Sequence, residues 1–111
     1  MRLDEVDAQL PVGTIVAVSD AVGDSDDLAD LADLAVIRLV DGWVAVPDAC
    51  PHAGCAFSVD GELADDGTLI CNCHGSEFDP MTGDLRLGPA TSGLAVRRLK
   101  VERNRLNFAS R

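Results

Sequence analysis

Six donor side chains could carry chemistry in this sequence: Cys50, His52 and Cys55 in C-P-H-A-G-C, and Cys71, Cys73 and His74 in C-N-C-H-G-S. The two boxes hold all four cysteines and both histidines of the 111 residues. Thiolates and imidazoles are soft or borderline ligands, so metal binding is the first chemistry they suggest. Each box opens on a cysteine and supplies a histidine, as C-x-H and as C-x-x-H. Two thiolates and two imidazoles can hold one tetrahedral zinc or a two-iron cluster. A structural zinc site usually spaces its paired ligands by two to four residues, so the C-x-H pair is atypical of zinc and two cysteines would be unexplained. In a mixed-ligand [2Fe-2S] site each box gives a cysteine to one iron and a histidine to the other. Another chemistry, thiol-disulfide exchange at Cys71-Asn72-Cys73, generally uses C-x-x-C beside a βαβ unit, and no such unit is found.

The segments around the boxes read as short strands. V-G-T-I-V-A-V-S (Val12 to Ser19) is a β-branched first strand after Pro11. Leu34 to Val40, Asp41-Gly42 and W-V-A-V read as a hairpin, because Asp-Gly adopts the positive φ angles of a tight turn. A second Asp-Gly, at 66 and 67, precedes Thr68 to Cys71 and predicts a hairpin between the boxes. L-A-V-R-R-L-K-V and R-L-N-F flank Glu102 to Asn104 and predict a last hairpin. Between the first two strands a Leu-Ala-Asp repeat places Leu28, Leu31 and Ala35 near helical spacing, and one or two helical turns are expected there as a solvated insertion. The expected fold is all-β, a single domain over residues 1–111, with Trp43 in its core.

The pair C-P-H-A-G-C and C-N-C-H-G-S resembles the Rieske family, in its disulfide-containing branch. The resemblance runs from about Trp43 to Ala90, with the cluster-binding part near 47–90. It implies a β-sandwich base carrying a small cluster-binding subdomain, with one [2Fe-2S] cluster. By the same resemblance Cys50 and Cys71 hold one iron, His52 and His74 hold the other, and Cys55 is bonded to Cys73. Gly88 and Pro89 stand where the family covers its cluster, and F-D-P-M-T-G (Phe78 to Gly83) fits the turn after the second box. Ser76 matches a hydroxyl that bonds a cluster sulfide in high-potential members. Phe78 stands where those members carry a tyrosine, and the chain has no tyrosine at all. Ala53 likewise replaces the larger apolar residue of quinol-oxidising members.

The implied charge balance favours electron uptake. Two ferric ions, two sulfides, two thiolates and two neutral imidazoles sum formally to zero, whereas four thiolates would leave two negative charges. Histidine ligation accordingly raises potentials from about −400 mV to roughly −150 to +300 mV. The resemblance therefore implies a one-electron carrier and not an enzyme, working between a reductase and a terminal redox enzyme such as an oxygenase. The alternative is a soluble Rieske subunit or fragment of a quinol-oxidising respiratory complex or a molybdenum oxidase.

Composition bounds the partners. Nine basic against nineteen acidic residues give a net charge of −10, which repels nucleic acid and anionic membrane surfaces. The distribution is uneven: residues 1–96 carry three basic and eighteen acidic groups, and residues 97–111 carry six basic and one acidic. Apolar runs are strand-sized, well short of the roughly 20 residues of a membrane span, and the acidic start M-R-L-D-E-V-D lacks a signal peptide's apolar stretch. A cytoplasmic monomer with redox-protein partners is the expectation.

Overall fold

The structure, a computed structural model, describes residues 2–18, 33–51, 54–88, 90 and 92–109. The readings made for the aspartate-rich repeat up to residue 32, and for His52, Ala53 and Pro89, lie outside the described residues.

Among these residues the order is β1 (Ile15–Val18), β2 (Leu34–Leu39), β3 (Gly42–Pro47), a one-turn helix α1 (Phe57–Asp60), β4 (Gly61–Leu63), β5 (Leu69–Cys71), β6 (Ser76–Phe78), β7 (Leu85–Leu87), β8 (Arg97–Glu102) and β9 (Arg105–Phe108). A short 3₁₀ turn, Leu3–Glu5, precedes them. The strands form two antiparallel sheets, ordered β1-β2-β3-β8-β9 and β4-β5-β6-β7. The expected all-β class is what the chain adopts.

The apolar runs of β2 and β3 have no polar alternation because both faces of these strands are covered. One face presents Ala35, Ile37, Val44 and Val46 to a core shared with Leu69, Phe78 and Phe57, and this core also contains Cys50 and Cys71. The other presents Leu34, Val36, Trp43 and Ala45 to Leu3, Val6, Leu99 and Leu106. Trp43 is thus a core residue, and its Nε1 donates to the Ala8 carbonyl at 3.3 Å. Fully burying a side chain such as Phe78 or Leu69 stabilises by roughly 1.5–3 kcal/mol, so the donor boxes are anchored at the edge of a rigid core.

Three local expectations change. Ala35, the last residue of the expected helical turns, lies in β2 opposite Val46, because Val36 and Ile37 continue the extended run. The β2–β3 turn is Val40-Asp41, one residue earlier than the Asp-Gly dipeptide: Leu39 pairs with Gly42, and Val40 stays exposed. The pairing of Ile37 with Val44 and Val36 with Ala45 fills both cores, and that register outweighs the local turn preference. The first strand is shorter than Val12 to Ser19, beginning at Ile15. The last hairpin falls where the sequence places it, with Arg103 and Asn104 at φ 53° and 64° forming its tight turn.

Candidate metal centre

The two boxes fold into the same turn. Gly54 donates its N–H to the Cys50 carbonyl and Gly75 to the Cys71 carbonyl, both at 2.8 Å. Both glycines have positive φ, 74° and 85°, which reverses each loop four residues after its opening cysteine. The first loop follows β3 and the second joins β5 to β6, so the larger sheet and the smaller sheet each deliver one loop to the same end of the core.

Helix α1 ties the loops together. The Asp48 carboxylate, two residues before Cys50, accepts the Ser58 N–H at 2.8 Å and the Ser58 hydroxyl at 2.6 Å. Those bonds satisfy a donor at the start of α1, where the N-cap residue Ala56 has no side-chain acceptor. The Asn72 N–H donates to the Asp60 carbonyl at 2.8 Å, and Asn72 Nδ2 donates to Glu62 at 3.0 Å. Sequence reasoning missed Asp48 and Asp60; the one available signal was an aspartate ahead of the Ala-Cys-Pro run.

Cys55 and Cys73 are joined as a disulfide. Cys50 and Cys71 remain free thiols, buried and in the same core cluster. Burial pushes the Cys71 thiol up, and the neighbouring Cys50 adds to this, while the backbone N–H groups of Cys73 and His74 work the other way. Those two N–H groups favour a charged sulfur, the form a ligand takes. His74 is exposed, and its ring lies beside the disulfide, with Cys55, Cys73 and His74 donor atoms within 4.8 Å of one another. That trio is no ligand set, because its two sulfurs are already bonded to each other. The donors that fit iron are the two unbridged thiols with a histidine at the loop edge: thiolate sulfur and imidazole nitrogen, presented from matched turns. Cys73 is bonded to Cys55 and not to Cys71, its C-x-C neighbour.

Ser76 is completely buried in β6, paired with Cys71, and its Oγ accepts the Ala90 N–H at 3.2 Å. Gly88 packs against the same residue so closely that a Cβ there would stand 2.5 Å from Ser76 Cα, and its φ is 109°. Gly88 and Ala90 are therefore both held against the second box. Phe78, on the same face of β6 as Ser76, is fully buried and meets Phe57 edge to face at 5.9 Å.

Residues 8–100 match the family model described as the Rieske [2Fe-2S] domain. Over 50 residues the chain is 42% identical to a Haloferax mediterranei protein named as a respiratory nitrate reductase Rieske subunit, covering 45% of this chain and 21% of that one. Over 54 residues it is 41% identical to the ubiquinol-cytochrome c reductase iron-sulfur subunit of Blastochloris viridis, covering 49% of this chain and 28% of that one. The chain thus spans under a third of the length of either curated relative. Its fold is similar to a chain of the complex of reduced oxygenase and oxidized ferredoxin in carbazole 1,9a-dioxygenase, with TM-score 0.72, 30% identity, and 93% and 95% of the two chains covered.

Proposed function

The chain belongs to the Rieske [2Fe-2S] family and binds that cluster, and from this premise we propose that it is a one-electron carrier, not a catalyst, serving a reductase on one side and a terminal enzyme such as an oxygenase on the other. The reading is supported most by one observation: two free, buried thiols, Cys50 and Cys71, stand at the heads of two matched turns that a separate disulfide clamps together. In this reading Cys50, Cys71, His52 and His74 are the ligands. When bound, the cluster supplies a reversible one-electron change at a potential raised by its imidazole ligands.

The rest is work for the chain's own residues. Cys71 receives the Cys73 and His74 N–H groups at its sulfur, which favours the added negative charge of a reduced centre. Ser76 holds a hydroxyl in the same wall. In this reading Gly88, which packs on Ser76, and Pro89 are the cover that the family resemblance implies for the centre. Exposed His74 marks the edge through which an electron passes. Likeness to a ferredoxin–oxygenase complex favours an oxygenase-type acceptor. The respiratory alternative has the stretch shared with two respiratory subunits in its favour, but Phe78 and Ala53 depart from the quinol-oxidising pattern, which weakens it.

Purified protein is expected to contain iron and labile sulfide and, once reduced, to give the low average g value of histidine-ligated [2Fe-2S] in electron paramagnetic resonance. It should then pass one electron to an acceptor without consuming a substrate of its own. One zinc per chain with no sulfide, or turnover of a substrate by the isolated chain, would overturn this reading.

A further inference from the structure

Six large apolar side chains are exposed among the described residues, and three of them, Val12, Val40 and Met81, line one groove of roughly 480 Å³. Val40 is 78% exposed and Val12 49%. Apolar side chains scattered singly need no account, but three on one concave surface form a candidate contact surface. Asp41, Asp65 and Asp66 rim the groove. Its one basic side chain, Arg86, is already engaged, donating to Asp79 at 3.1 Å and to Thr68 Oγ1 at 2.9 Å. With four carboxylates and one guanidinium, the groove keeps three negative charges.

The groove lies at the far end from the cysteines. It is built from the turn before β3, the turn before β5 and the residues after β6, whereas the two boxes follow β3, follow β5 and precede β6. Along the six residues of β3 that separation is on the order of 20 Å, and along the three-residue β5 and β6 it is about 10 Å. A molecule seated here leaves the histidine edge open.

We propose that this groove is a second docking surface, which takes a basic, apolar-tipped segment of a redox partner protein. The proposal rests on the electron-carrier reading. Charge complementarity selects the occupant: a rim of three excess negative charges on a chain of net charge −10 attracts a cationic segment and repels phosphate or anionic lipid. The apolar walls add what charge alone cannot, a place for one leucine- or methionine-sized side chain between the basic groups. A partner tethered here meets the cluster edge at raised effective concentration, while that edge stays free to exchange electrons.

The test uses the full, cluster-loaded chain, labelled with ¹⁵N, and a short synthetic peptide carrying one leucine flanked by lysine and arginine. The same peptide with glutamates in place of the basic residues is the control. Amides close to the cluster are broadened, but the groove is remote enough to be observed. The basic peptide should produce saturable shifts at Gly13, Val40, Asp41 and Asp65 to Gly67, and the acidic one none. Asp41→Asn with Asp65→Asn should weaken binding about tenfold. Val40→Ser with Met81→Ser, which keeps every charge, should weaken it by a similar factor. The proposal is overturned if the charge variants weaken binding and the apolar pair does not, since that is attraction without a groove. It is equally overturned if the shifts map to Cys71–Ser76, if no saturable binding is seen, or if sedimentation shows the groove filled by the basic Arg98–Arg105 hairpin of a second copy. In all variants the reduced-state resonance should match the parent; its absence from the parent would instead refute the electron-carrier reading, so the two failures are told apart.

Discussion

Ser76 accepts the Ala90 N–H on its Oγ at 3.2 Å, a bond between two buried residues fourteen positions apart that fixes Ala90 to the second box. A hydroxyl that accepts this bond still has its own proton to give. Ser76→Ala removes both. With the Ala90 N–H orphaned, stability should fall by about 1–3 kcal/mol. If the hydroxyl proton serves a cluster sulfur, the reduction potential should fall as well. Denaturation and redox titration of the same variant separate these effects: an unchanged potential with lowered stability would leave Ser76 a purely structural residue.

Phe78 stands fully buried beside Phe57, at the position the resemblance aligns with the tyrosine of high-potential members. Phe78→Tyr is expected to raise the potential by giving a ligand sulfur a new donor. A buried hydroxyl that found no partner would instead cost about 1–3 kcal/mol. The outcome is read from potential and melting temperature together. A melting point well below the parent with no change in potential would show that the new hydroxyl does not reach the cluster.

The Cys55–Cys73 bridge closes a loop of eighteen residues in sequence separation, one cysteine from each box. Chain-entropy arguments assign about 3 kcal/mol to loops of roughly this length. The double variant Cys55→Ser with Cys73→Ser should melt lower and lose its visible absorption faster on standing. Alkylation of the parent without reductant, followed by intact-mass measurement, should modify neither cysteine.

Gly88 has positive φ, and any Cβ there would collide with Ser76 backbone, which cannot move without shifting β6. Gly88→Ala should therefore cost more than 1 kcal/mol, from backbone strain and displacement of the cover. Faster loss of the cluster at equal temperature is the expected sign. A variant as stable and as slow to bleach as the parent would mean the Gly88–Ala90 segment does not cover the centre.

Much of the fold was legible because its signals are local. The continuous apolar runs of β2 and β3, the Asp66-Gly67 turn and the Arg103-Asn104 turn all sit near where the sequence places them. What was not legible depends on partners distant in sequence. β6 and β7 are three residues each, too short to show alternation, and β7 is recognisable only through its pairing with Glu77 and Phe78. The Val40-Asp41 turn is chosen by two cores at once, which no dipeptide preference encodes. In the site, the resemblance carried by the paired boxes implied the Cys55–Cys73 bond, which the structure contains, and Cys50 and Cys71 share one core cluster. The Asp48 carboxylate on Ser58 and the Asn72 bond to Asp60 position those same loops, yet carry no spacing signal, since the helix they hold is a single turn.

Acid should loosen the turns at the groove end before it reaches the rest of the smaller sheet. Asp79 is held below the usual carboxylate range, chiefly by the Met81 N–H at 2.8 Å, with Arg86 adding a smaller pull. Asp66 is lowered in the same direction, chiefly by the Thr68 N–H at 3.0 Å. A carboxyl whose folded value lies below its unfolded value stabilises the fold fully above the unfolded value. That contribution disappears as pH falls through the folded one. Stability should therefore be level above about pH 5 and decline below about pH 4, where ordinary carboxylates take up protons. Asp79→Asn keeps an acceptor for the Met81 N–H but no longer titrates, so it should be less stable than the parent near neutrality and lose less on acidification. Melting temperatures of the cluster-loaded parent and variant from neutral pH to strong acid, followed by far-ultraviolet circular dichroism, provide the comparison. Parallel curves for the two proteins would show that the Asp79 carboxylate contributes nothing to the acid transition.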